Sequence, residues 1–307
     1  MIRIGTRGSK LALWQADYVA GRLNAKGIAT EIVAIETKGD KIQNASFSGI
    51  GTKGLFTEEL EDKLRTGIID IAVHSAKDMQ SSLPEGLELI AFSIREDPCD
   101  VLVSFDKTFS LERPGVKVVG TSSTRRRSII QHYYSEVRLQ EARGNLQTRF
   151  QKMRDGQFEA MILAYAGVNR MELNEFIVQK LPLPVFTPAV GQGAITIEAS
   201  VELAKEKKEQ IRALVNHTET EVCLKAERAY LKKMEGGCSI PSFCLANIVH
   251  GMLEVNGGII SLDGKEEVRK NIQGSIQNPE EAGLALANLV LGAGGDKILE
   301  SIKKVRD

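Results

Sequence analysis

The sequence predicts an α/β protein built from two similar lobes and a smaller third domain. Three observations carry this. Short apolar runs alternate with longer amphipathic stretches up to about residue 215, the pattern of strands covered by helices. Two signatures repeat: IRIG runs into GTRGS and a helical stretch, and VKVVG runs into GTSST and another. Beyond residue 215 one long helical stretch is followed by short strands, turns and a last helix.

Taken in order, strands are expected at Ile2–Gly5, Glu31–Glu36, Ile68–Val73, Leu87–Phe92, Val101–Ser104, Val116–Gly120, Val137–Gln140, Ala160–Ala164 and Ala194–Glu198. Helices are expected near 9–25, 55–66, 122–134, 145–155 and 202–215. A second pair supports the repeat. LRTGIIDIAV and MRDGQFEAMI each read as a helix end, a Gly, an acidic residue and an apolar strand. The first copy is longer, and much of the excess is the Gly- and Ser-rich Thr37–Gly54. Its part Ile42–Gly54 reads as a mobile loop able to fold over a site. LPLPVFTP (Leu181–Pro188) punctuates the chain and returns it between lobes. In the last part a helix spans about Thr218 to Met234, with a stripe of Val222, Cys223, Ala226 and Tyr230, and ends at EGGC. Turns are expected at Asn256-Gly257 and Asp263-Gly264, and the final helix, from about Glu280, is interrupted near GAGG.

Composition excludes several classes. The 307 residues are 42% hydrophobic and 26% charged, ordinary for a globular chain and unlike disordered, collagenous or coiled-coil proteins. Lys+Arg and Asp+Glu are both 40, so a site for a polyanion must be a local cluster. Aromatics are only 5% and none interleave with the arginine run, which argues against single-stranded nucleic acid. No apolar run reaches the roughly 18 residues of a membrane span. MIRIGTRGSKLALW has no signal-peptide layout, and four sparse cysteines give no disulfide or zinc pattern. A cytoplasmic, reduced protein is expected.

The turns Gly5–Ser9 and Gly120–Thr124 follow strands and open helices, where unpaired backbone N–H groups and Ser/Thr hydroxyls suit carboxylate or phosphate. Plain helix capping is the alternative. The neighbouring bases favour an anion: Arg7 is in the first turn, and Arg125, Arg126 and Arg127 open the second helix, where cations oppose the macrodipole. Arg143, Arg149 and Arg170 follow loop signals, and Lys38, Lys53 and Lys77 lie near loops of the first lobe. Arg forks grip carboxylates bidentately, so a cleft collecting these bases would bind a molecule with several negative groups. A solvated charged face is the bland reading. HSAKDM puts Asp78 on a loop at a strand's carboxyl end, where open α/β sheets carry their sites. There it could stabilise a cation or move protons. A surface ion pair beside a satisfied His74 is the alternative. Cys238, in EGGCSIP, reads as an exposed thiol on a glycine turn, a nucleophile or covalent anchor, whereas Cys223 and Cys244 suit buried packing.

Together, GTRGSKLALWQ, TKGD, TKGLFTEELE, DIAVHSAKDM, LPEGLELIAF, REDPCDVLVS, GTSSTRRR, ARGNLQTR, PAVGQGAITIE and ERAYLKKMEGGCSIP resemble the porphobilinogen deaminase (hydroxymethylbilane synthase) family nearly end to end. VHSAKDM, RGN with TR, VGQGA and EGGC in this order are together very specific. The chain departs from the family pattern at Cys99, Thr124, Tyr165, Phe243 and SFCLAN. The resemblance implies two periplasmic-binding-protein-like lobes, residues 1–93 with 190–211 and residues 94–189. It adds a small C-terminal α/β domain with an antiparallel sheet, residues 212–307, that carries the cofactor cysteine.

It also implies a transferase that condenses four porphobilinogen molecules head to tail, losing ammonia, into hydroxymethylbilane that water releases. The primer is a dipyrromethane joined by a thioether to Cys238. Asp78 is the implied catalytic residue. Lys77, Thr121, Ser122, Ser123, Arg125, Arg126 and Gly144 are implied at the cofactor. Arg7, Ser9, Lys53, Arg143, Arg149, Arg170 and Gln192 are implied at the substrate chain, with no metal. A cytoplasmic monomer without nucleic-acid or membrane partner, passing its product to uroporphyrinogen III synthase, is expected. The chemistry agrees: each substrate carries an acetate and a propionate, and deamination leaves an electron-deficient carbon that a buried Asp78 would stabilise. A non-catalytic bilobal anion-binding protein is the runner-up, and a nucleic-acid module the third reading.

Overall fold

The computed structural model describes residues 1–41, 57–237 and 239–306. The Ile42–Gly54 loop with Lys53, and Cys238, lie outside the described residues. In chain order the elements are β1 (Ile2–Arg7), α1 (Lys10–Asn24), β2 (Thr30–Ile35), α2 (Lys38–Lys41), α3 (Glu58–Arg65), β3 (Ile71–Ser75) and β4 (Leu87–Phe92). There follow β5 (Asp100–Ser104), β6 (Lys117–Gly120), α4 (Thr124–Tyr133), β7 (Val137–Gln140), α5 (Leu146–Arg154), β8 (Ala160–Ala164), α6 (Tyr165–Arg170) and β9 (Ile177–Lys180). The rest is β10 (Ile195–Ser200), α7 (Lys205–Val215), α8 (Thr218–Lys233), β11 (Ser242–Val249), β12 (Met252–Ile260), β13 (Glu267–Ser275), α9 (Pro279–Val290) and α10 (Asp296–Arg306). Two compact units result, Met1–Glu96 with Gly193–Glu221, and Asp97–Gln192 with Val222–Asp307.

In the first unit the sheet order is β2-β1-β3-β10-β4. β1 runs parallel to β2 and β3, and β10 is antiparallel to β3 and β4. Strand period two divides the side chains between faces. Ile2, Ile4, Ile71, Val73, Ile195 and Ile197 pack against Ala16, Val19 and Leu23 of α1 and Ile211 and Val215 of α7. On the other face Ile69 and Ala72 meet Leu60 and Leu64 of α3. Each large aliphatic side chain so buried contributes about 1.5–3 kcal/mol.

The second unit repeats the plan. Its sheet order is β7-β6-β8-β5-β9, with β6 parallel to β7 and β8, and β5 antiparallel to β8 and β9. Ile129 and Ile130 of α4 cover one face, Phe150 and Met153 of α5 the other. The antiparallel fourth strand is the last to arrive in one lobe (β10) and the first in the other (β5), so the chain crosses out and back between two lobes of the same order. The repeated glycine has a packing cause. A Cβ on Gly5 would come within 2.3 Å of Ile69 Cδ1, and one on Gly120 within 2.8 Å of the Phe158 ring.

The C-terminal part of this unit is the antiparallel sheet β11-β12-β13 under α8, α9 and α10. Pro279–Val305 is long and apolar enough by composition to cross a membrane, but it breaks at Gly294 (φ 106°), and Leu286, Val290, Ile298 and Ile302 fill the core. The interruption expected near GAGG is therefore real. The turn expected at Asn256-Gly257 is not: both residues lie inside β12, and the hairpin closes at His250-Gly251, with φ 49° and 77°. β9, a short strand at the sheet edge, was not expected.

Candidate active site

Within each lobe the candidate residues gather at the carboxyl ends of the parallel strands, where loops converge and helix N-termini begin. In the first unit β1 delivers Arg7, and Ser9 caps α1, its Oγ accepting from the Ala12 N–H at 3.3 Å. β3 runs into the tight turn Ala76–Asp78, pinned by the Ala76 N–H to the Ala194 carbonyl at 3.0 Å. The buried Gln15 of α1 donates to Ser75 Oγ at 2.8 Å. Arg7, Ser9, Gln15, Thr57, His74, Ser75 and Asp78 line one small open cleft. Asp78 therefore stands where the sequence put it, but it is exposed rather than buried. Its low-dielectric setting has to come from whatever lies on it.

Behind this wall the satisfied-histidine reading of His74 holds. Its Nε2 is 3.0 Å from Glu198 Oε2, and both side chains are buried. Glu61 lies near them and accepts from Gln80 Nε2 at 3.2 Å. Burial first, and then the charge on Glu198, push the Glu61 carboxyl up from its ordinary value.

In the second unit β6 ends in Thr121–Ser123. Ser123 caps α4, and its N–H bonds Thr121 Oγ1 at 3.2 Å. Ser122 ties this turn to the loop after β7: its Oγ accepts from the Ala142 N–H at 3.1 Å and donates to Glu141 Oε2 at 3.4 Å. Arg143 Nε donates to the same Glu141. Gly144 has φ 103°, and a Cβ there would lie 2.7 Å from Thr148, so the sharp turn requires glycine. Its carbonyl accepts from Arg149 Nε at 2.8 Å. Arg170 ends α6, after β8. The lobe thus presents hydroxyls, helix-start N–H groups and guanidiniums together, a donor set for carboxylates.

Three expected ligand contacts turn inward instead. Arg125 and Arg126 are buried, and both forks are on Asp100, a carboxylate the sequence reading had not singled out. Arg125 Nη2 and Arg126 Nη2 are each 2.7 Å from it. Arg125 Nη1 also bonds the Thr187 carbonyl at 2.8 Å, and Arg126 Nη1 the Ile162 carbonyl at 3.0 Å. Gln192, expected by the cleft, is 1% exposed and donates to Asp100 at 2.9 Å. Burial alone would raise the Asp100 carboxyl, but Arg125 and Arg126 hold it well below the usual range. Two guanidiniums against one carboxylate still leave a positive excess at the base of α4.

Residues 2–209 match the family model "Porphobilinogen deaminase, dipyromethane cofactor binding domain", and residues 220–292 match "Porphobilinogen deaminase, C-terminal domain". The chain belongs to the porphobilinogen deaminase family. Porphobilinogen deaminases similar to it include that of Desulfosudis oleivorans, 50% identical, covering 99% of this chain and 98% of the relative. That of Cytophaga hutchinsonii is also 50% identical, over 99% and 97%. Among solved structures, the VFT2 domain of Bordetella pertussis BvgS aligns at 15% identity and TM-score 0.41, covering 70% of this chain and 84% of that one. Membership makes the chain a transferase of tetrapyrrole biosynthesis with a dipyrromethane cofactor.

Sequence reasoning missed Asp100, Gln15, Glu61 and Glu198. Asp100 had one available signal: consecutive arginines at a helix start need a counter-charge, and REDPCD opens a strand nearby. Glu198 had none, since its partner His74 is on a strand distant in sequence.

Proposed function

We propose that this chain condenses four porphobilinogen molecules head to tail, with loss of ammonia, into hydroxymethylbilane, using a dipyrromethane primer carried by a thioether on Cys238. The observation that carries the reading is the family match along nearly the whole chain, including its cofactor-binding domain. The residues of the second unit fit the cofactor: its carboxylates call for donors, and Ser122, Ser123, Arg143 and Arg149 supply them beside the start of α4. Arg125 Nε, buried, has no hydrogen-bond partner among the described residues and is one more donor.

When bound, the dipyrromethane supplies the pyrrole carbon to which the first substrate is joined. Thr121, Ser122, Ser123, Gly144 and the second unit's arginines hold carboxylates, Arg125 and Arg126 chiefly by setting the base of α4. In the first unit Arg7, Ser9, Lys53 and Lys77 hold acidic groups, and the Asp78 carboxylate stabilises the positive charge left on substrate carbon as ammonia departs. We also take the chain to be a cytoplasmic monomer whose product goes to uroporphyrinogen III synthase. Incubation with porphobilinogen tests the reading. Ammonia release and a linear tetrapyrrole are expected, and binding without consumption would leave the anion-binding alternative.

A further inference from the structure

The buried Arg125–Asp100–Arg126 cluster is not held by its own lobe alone. Two of its ties run to one strap of chain, residues 185–192: the Thr187 carbonyl accepts from Arg125 at 2.8 Å, and Gln192 bonds Asp100 at 2.9 Å. That strap is fastened in turn to the C-terminal sheet and to α8 of the same unit. The Cys244 N–H bonds the Pro188 carbonyl at 3.2 Å, and the Gly191 N–H bonds the buried Glu227 at 2.8 Å. The fastening nearest to Arg125 is Arg269 of β13. Its Nη1 donates to Thr187 Oγ1, and its Nη2 donates to the Val185 carbonyl at 3.1 Å and to Glu267 at 2.7 Å. The Arg269 guanidinium lies 4.4 Å from the Phe243 ring centroid, which fixes its plane. Glu267 also accepts from Tyr133, at the far end of α4, at 2.7 Å.

We infer that Arg269 is a positioning residue for the carboxylate-binding face of the second unit: it locks Thr187, and Thr187 sets Arg125 at the start of α4. An arginine is needed because one planar fork must reach a hydroxyl, a carbonyl and a carboxylate at once, which a lysine cannot do. The inference rests on the reading of that face as the holder of substrate and cofactor carboxylates. It gives the C-terminal domain a part in substrate affinity.

Steady-state kinetics of Arg269→Gln, Thr187→Val and the double variant test it, with melting temperatures and the cofactor adduct checked on each. Each single variant should raise KM for porphobilinogen about tenfold, the size of one lost hydrogen bond to a charged group, with kcat little changed. The double variant should also be about tenfold, because both changes cut one path. Arg269→Lys should recover part of the loss. A lowered melting temperature with KM unchanged, or effects that multiply in the double variant, would overturn the inference. Arg149→Lys separates it from the reading beneath. If that variant raises KM while Arg269→Gln does not, the inference fails alone, and if neither raises KM, both fall.

Discussion

Asp78 meets solvent at the mouth of its cleft, on a turn held by backbone rather than by its own side chain, so replacing it should disturb chemistry and not folding. Asp78→Asn is expected to lose at least ~100-fold in turnover with an unchanged melting temperature, since removing a charge that faces a cation costs several kcal/mol. A properly folded variant at near wild-type rate would refute the role. The arginines divide by setting. Arg149 is partly open, and Arg149→Lys should impair substrate binding in an intact fold. Arg126 is buried on Asp100, and Arg126→Gln, which removes one partner of a buried pair, should cost about 3 kcal/mol of stability or more. Denaturant titration distinguishes the two. Glu61 gives a pH-dependent contrast. Burial favours its neutral form, so its contribution is intact below the unfolded value of about 4.3 and is lost as pH rises. Glu61→Gln should therefore stabilise the protein, by an amount that grows from pH 4 towards neutrality, and melting curves across that range would reveal it.

At the level of strands and helices, what could be read in the sequence was what short-range physics dictates. The GTRGS and GTSST signatures were legible because a strand that ends on a crowded glycine and opens a capped helix leaves a local imprint. Gly120→Ala should cost about 1–3 kcal/mol by forcing the Phe158 ring aside, measurable as a lowered denaturation midpoint. β9 was missed because IVQK is short and half polar, as an edge strand is allowed to be. The Asn256-Gly257 signal misled because those glycines serve packing. A Cβ on Gly257 would come within 3.0 Å of Leu286, and one on Gly258 within 2.3 Å of the Val268 carbonyl. The true turn, His250-Gly251, puts a histidine at positive φ, uncommon for any residue but glycine. The inward turn of Gln192 and the pairing of Glu198 were illegible for a different reason. Their partners are brought together only by the sheet, and the inward turn of Arg125 and Arg126 follows from that.

For the molecule as a whole, zero net charge hides a strong local organisation: internal carboxylates such as Asp70 and Asp100 neutralise part of the arginine and lysine excess near them. This sets the acid limit of stability. Burial would raise Asp70, but hydrogen bonds from Arg3 and Lys207 outweigh it and bring the carboxyl to about 2. A depressed carboxyl stabilises the fold above its unfolded value, about 3.9, and that contribution is lost as pH falls through the folded value. Asp70→Asn should thus be less stable than the parent at neutral pH, with the difference closing only below about pH 2.

The measurement that decides most is the intact mass of the purified chain, followed by peptide mapping. A single covalent dipyrromethane should be found on the peptide that contains Cys238. It should be absent from Cys238→Ser together with turnover, and unaffected by changes at the buried Cys99, Cys223 or Cys244. An unmodified mass in a protein that still makes tetrapyrrole, or an adduct mapped to any other residue, would contradict it.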